Sequence, residues 1–138
     1  MGIQSLLHTE PDSQSSVKML RASHDLGQNI CFAITTILIA PFIEEAMFRG
    51  ILYPAVKQTG YPRLAFIGTS VLFGAIHMNL MTFVSLTVFG MVLAWLYEKT
   101  DTLLTPIFAH SISNAVNFVL LLNEERIERL LKSFSERI

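Results

Sequence analysis

The chain has 138 residues, enough for one domain, with 51% hydrophobic residues, only 15% charged residues, a mean hydropathy of +0.49 and a net charge of -1. Those values exclude an ordinary soluble domain and provide no cationic surface for nucleic acid. Its single cysteine, Cys31, excludes a disulfide framework and a cysteine-based metal site, and its apolar neighbours make it a packing residue.

Residues 1–25 are mostly polar, with Pro11 and a Ser13-Gln14-Ser15-Ser16 cluster, and read as a loose N-terminal arm without a signal peptide. No Asp, Glu, Lys or Arg occurs in residues 26–43, 64–97 or 102–123. A membrane crossing needs about 20 apolar residues, so these stretches predict four hydrophobic helices. The first runs over 26–53, with Pro41 kinking or restarting it. Pro54, Gly60 and Pro62 mark a turn, flanked by Lys57 and Arg63 at the membrane edge. The second helix runs over 64–77, and His77-Met78-Asn79 is either a tight reversal or a polar break in a longer helix. The third reaches Tyr97 and carries Trp95 and Tyr97 where an aromatic belt belongs. Residues 98–101 form a charged turn. The fourth helix spans 102–122, with Pro106 in its first turns. From Asn123 the apolar positions Ile127, Leu130, Leu131, Phe134 and Ile138 form one helix face, supported by the pairs Glu125–Arg129 and Glu128–Lys132. The expected fold is therefore all-α: a multi-pass transmembrane bundle of about four helices over 26–122, with an amphipathic C-terminal helix over 123–138 lying on the membrane or against the bundle. Lys18, Arg21 and the basic tail outnumber Lys57, Arg63 and Lys99, which places both termini in the cytoplasm.

Ionisable groups inside such segments are costly, which makes them functional candidates. Glu45 and Arg49 are four apart and share a helix face, so they can pair. Glu44 is turned about 100° away and need not share their partner. One division of roles has Arg49 neutralising Glu45 while Glu44 faces a cavity. Phe73 and His77 lie one turn apart, as do His110 and Asn114. Taken singly, each has a structural reading: a salt bridge between helices, an interfacial histidine, a packed phenylalanine, or an interhelical hydrogen bond. Depth argues for a common site. At about 1.5 Å per residue from the face bearing the 54–63 and 98–101 turns, Glu44 lies about 13 Å in, His110 about 12 Å and His77 about 20 Å.

A carboxylate, two imidazoles and a carboxamide at similar depth suit hydrolysis. Glu44 with His77 can deprotonate a water, and His110 with Asn114 can donate to a tetrahedral oxyanion. Glu44, His77 and His110 are also a two-histidine, one-carboxylate set suited to Zn²⁺, although the H-E-x-x-H motif is absent.

The segments Glu44-Glu45-Ala46-Met47-Phe48-Arg49-Gly50, Phe73-Gly74-Ala75-Ile76-His77 and His110-Ser111-Ile112-Ser113-Asn114 resemble the signature of the type II CAAX prenyl endopeptidases, within the CPBP (Abi) intramembrane proteases. Residues 90–97 and 103–107 resemble the family too, and the likeness covers about residues 40–117. It implies a multi-pass membrane peptidase in which Glu44 activates water with His77. It makes His110 and Asn114 the oxyanion or metal-side groups, and Glu45 and Arg49 supports that order the site. Metal dependence is unsettled within the family. Family members carry further membrane helices before the first motif, where this chain has its polar arm; a fragment, a minimal member and one half of an oligomeric assembly are the readings this leaves. The expected protein is an integral membrane endopeptidase, in the plasma membrane if bacterial, with lipid and a membrane-associated peptide or protein as partners. A non-catalytic membrane protein, such as a bacteriocin self-immunity or interaction module, is the alternative, and a proton or ion pathway is a third reading.

Overall fold

A computed structural model describes residues 26–123 together with 132 and 133. The N-terminal arm and nearly all of the expected amphipathic helix lie outside the described residues. Among the described residues four long helices follow one another: α1 (Leu26–Gln58), α2 (Pro62–Ala75), α3 (Leu80–Thr100) and α4 (Leu104–Leu122). The helices α1, α3 and α4 are each long and apolar enough to cross a membrane, whereas α2 is a shorter apolar helix. The protein is an all-α, multi-pass integral membrane protein. Its outward faces carry Leu38, Phe42, Met47, Ile51, Val84, Phe108 and Ile112, the side chains lipid would solvate. Cys31 is exposed on α1, so it is not the packing residue its apolar neighbours suggested.

Helix α1 is not uniform. Two stretches, Thr35–Ile39 and Ala46–Leu52, are wound as π-helix. In that register each N–H bonds to the carbonyl five residues back: Ala40 donates to Thr35, and Tyr53 donates to Phe48. Pro41 and Pro54 occupy the very next position in each case, where the register would call for an N–H that proline lacks. Each proline is thus accommodated where a widened turn gives way to α-helix, and Pro41 restarts the helix without breaking it.

The joints between helices have local causes. Met78 (φ 48°) turns the chain after α2. Asn79 then caps α3, its Oδ1 accepting from the N–H groups of Met81 (3.0 Å) and Thr82 (3.3 Å). His77-Met78-Asn79 is therefore a reversal between two helices, the first of the two alternatives. Asp101 ends α3 in the left-handed region (φ 51°), its N–H donating to the Tyr97 carbonyl at 2.9 Å.

The α2–α3 hairpin is the most extensively packed pair, α2 also covers the C-terminal half of α1, and α4 packs on the N-terminal half of α1 and on α3. Small residues allow the hairpin to close. A Cβ on Gly74 would lie 2.5 Å from Thr87 Oγ1 and 2.9 Å from the Phe83 carbonyl oxygen, and one on Gly90 would lie 3.2 Å from the Ser70 backbone. Without a hydrophobic drive between helices in lipid, such close backbone contact supplies much of the association. Gly74→Ala should therefore force the helices apart and cost about 1–3 kcal/mol in detergent unfolding. Gly68→Ala is the control: its new Cβ meets only Leu64, at an ordinary 3.5 Å. Equal stability of the two variants would contradict the close-contact account.

Candidate active site

The C-terminal half of α1 carries Glu44, Glu45 and Arg49. Glu45 and Arg49 are fully buried, and Arg49 Nη1 donates to Glu45 Oε1 at 2.9 Å. The second arm of the guanidinium reaches a different helix, with Nη2 donating to the Gly90 carbonyl on α3 at 2.7 Å. Its face lies over the Phe73 ring, 4.9 Å from the centroid. A planar, two-armed cation is the side chain that meets these demands together.

Helix α4 brings His110 against the same carboxylate. His110 Nδ1 lies 3.0 Å from Glu45 Oε1, and its Nε2 lies 3.8 Å from Glu44 Oε2. An ionised carboxylate only accepts, so Nδ1 carries the proton and donates to Glu45. Nε2 is then the atom presented to Glu44. The two carboxylates that the helix geometry allowed to act apart thus share one imidazole. Glu44 Oε2 and Glu45 Oε2 are both buried without a protein hydrogen-bond partner. At 3.8 Å, Nε2 and Glu44 Oε2 are too far apart for a direct bond.

Phe73 is the apolar hub. It is fully buried, and its ring centroid lies 5.1 Å from that of His77, 5.7 Å from that of His110 and 5.3 Å from that of Phe48. His77 sits at the exposed end of α2 and donates from Nδ1 to the Phe73 carbonyl (2.8 Å), which leaves the Nε2 lone pair as its accepting atom. His77 reaches the cluster through the Phe73 ring. Asn114, one turn beyond His110 and half-buried, donates from Nδ2 to the Thr36 carbonyl of α1 at 2.9 Å. Two surface hollows lie elsewhere, one at Pro62, Arg63, Phe66, Ile67 and Glu98, the other at Gly74, Ala75, Met78, Asn79, Leu80 and Phe83.

A three-ligand zinc site needs its donors about 2.0–2.2 Å from one point. Among the described residues no three His, Cys, Asp or Glu side chains form such a group; Glu44 and His110 meet, and His77 does not complete a set with them. The residues as arranged do not fit the metal.

Three participants have no side-chain signature: the Gly90 carbonyl that holds Arg49, the Thr36 carbonyl that holds Asn114, and the widened turns of α1. The first two are backbone acceptors, visible only once helices are docked. Phe48 and Phe89, whose rings border Phe73 and His110, read in sequence only as apolar positions.

Residues 26–116 match the family described as type II CAAX prenyl endopeptidase Rce1-like. The chain belongs to that family. Among curated proteins of Bacillus subtilis (strain 168), it is 30% identical over 105 residues to one named "Putative membrane peptidase YdiL", covering 76% of this chain and 42% of that protein. It is 34% identical over 98 residues to "Uncharacterized protein YpbD", covering 68% of this chain and 47% of that protein. The chain spans less than half the length of these two relatives. No solved structure matches it. Membership in the Rce1-like family agrees with the resemblance carried by the Glu44, Phe73 and His110 segments.

Proposed function

We propose that this chain is an intramembrane endopeptidase of the CAAX type, hydrolysing a peptide bond near the end of a membrane-associated protein or peptide. The observation that carries this reading is the buried His110 imidazole, bound to Glu45 at Nδ1 and turned toward Glu44 at Nε2. Glu44 accepts one proton from a water whose oxygen attacks the scissile carbonyl carbon, assisted by the Nε2 lone pair of His77. The tetrahedral oxyanion takes hydrogen bonds from the second N–H of the Asn114 carboxamide and from His110 Nε2, the ring entering the cycle as imidazolium with a proton on each nitrogen and Glu45 as its counter-ion, and leaving it unchanged. The carbon–nitrogen bond then breaks, and the proton held by Glu44 passes to the departing amine. Arg49 and Glu45 act through His110: they hold the ring in the orientation that faces Nε2 to the reacting atoms. Phe73 packs its ring against both imidazoles and the guanidinium.

The test uses purified protein in proteoliposomes with a farnesylated peptide ending in C-a-a-X and its unprenylated counterpart, with products read by mass spectrometry. Cleavage on the carboxyl side of the prenylated cysteine is expected, and His110→Ala should lower kcat by about 10²- to 10³-fold. Wild-type protein that cleaves neither peptide, or a His110→Ala variant as active as wild type, would reject the reading.

A further inference from the structure

Pro41 has a consequence beyond the shape of α1. The Thr36 carbonyl is the acceptor that the π register assigns to residue 41, because Ala40 already donates to Thr35 in that register. Proline has no N–H to give; Pro41 is itself buried, and the neighbouring Ile39 and Phe42 are exposed on a face that lipid, which offers no donor, would cover. The donor that does arrive is Asn114 Nδ2, from α4, at 2.9 Å. A carboxamide nitrogen carries two N–H groups. Committing one to a fixed carbonyl sets the plane of the amide and hence the direction of the other.

We propose that Pro41 is a positioning residue for Asn114: by withholding its own N–H it reserves the Thr36 carbonyl for the Asn114 amide and so orients that amide's second N–H. The catalytic part of this inference rests on the hydrolytic reading above; the Pro41–Thr36–Asn114 linkage does not. An alanine at position 41 supplies the missing N–H, competes for Thr36 and releases Asn114, while removing only two buried ring carbons. Alanine also favours helix, so the variant should fold.

The linkage can be read without any substrate. Thr36-Ile37 is the only Thr–Ile pair in the chain, so ¹³C-carbonyl threonine with ¹⁵N isoleucine isolates the Thr36 carbonyl in an NMR spectrum of the protein in lipid. Asn114→Ala should shift that signal when Pro41 is present and leave it in place in the Pro41→Ala background. With the farnesylated peptide, Pro41→Ala should lower kcat on the order of tenfold with KM little changed, and adding Asn114→Ala should bring the rate no lower than Asn114→Ala alone. A Thr36 signal indifferent to Asn114→Ala beside Pro41 overturns the linkage. A shifted signal with unchanged kcat in Pro41→Ala overturns the positioning role. Absence of cleavage by the wild-type protein counts against the hydrolytic reading, while the carbonyl signal still decides the linkage.

Discussion

Replacing Glu44 by glutamine is expected to lower kcat by about 10²- to 10⁴-fold while membrane insertion and thermal stability stay near wild type. The substitution keeps the size and hydrogen-bonding reach of the side chain and removes only its ability to take a proton from water. Glu44 is the one of the two adjacent acids with no cationic side chain bonded to it: Arg49 is committed to Glu45 and to the Gly90 carbonyl. Its side chain is 28% exposed, so losing the charge leaves no buried counter-ion stranded. Proteoliposome cleavage assays beside circular dichroism and detergent melting separate the two effects. A Glu44→Gln protein that cleaves at the wild-type rate would remove Glu44 from the chemistry; one that fails to insert would make it a structural residue.

Arg49 should behave in the opposite way. Arg49→Met leaves the Glu45 carboxylate buried without its cation and the Gly90 carbonyl without its donor, a loss of about 3–5 kcal/mol. Removing both charges, in Arg49→Met with Glu45→Gln, should recover most of that stability, because a glutamine carbonyl still accepts from His110 Nδ1. Arg49→Lys is not a mild change here, since one ammonium cannot span Glu45 and Gly90 while lying over the Phe73 ring. Chemical unfolding in detergent measures all three. Arg49→Met as stable as wild type, or no recovery in the double variant, would contradict the view that this ion pair is a buried, mutually compensated unit.

The parts of the fold that were legible in the sequence are those governed by local rules. Uncharged stretches of membrane length mark α1, α3 and α4, because lipid excludes charge residue by residue. The i,i+4 spacing of Glu45 and Arg49 announces their contact, because one helix turn is enough to make it. The polar segments 77–79 and 98–101 fall where helices end, because a chain leaving a bilayer needs polar residues there. What was not legible depends on docking. Nothing in residues 26–58 declares that α1 widens twice, since π winding follows from fitting Pro41 and Pro54 into a helix that neighbouring helices keep continuous. The sharing of His110 by Glu44 and Glu45 is likewise invisible at the level of one helix, where the two acids point about 100° apart. Depth arguments anticipated that α1 and α4 would meet at one level. They could not anticipate that α3 would contribute a backbone carbonyl, or that α2 would contribute mainly the Phe73 ring and carry His77 at its exposed end.

The central claim is that Glu44 and His77, on different helices, serve one attacking water. The most direct measurement is a double-mutant cycle of kcat for Glu44→Gln and His77→Ala on the farnesylated peptide in proteoliposomes. Residues acting as a unit lose their effects together, so the double variant should be about as slow as the slower single variant. Losses that multiply would mean that the two side chains act on separate steps, and the account of a shared water would be wrong.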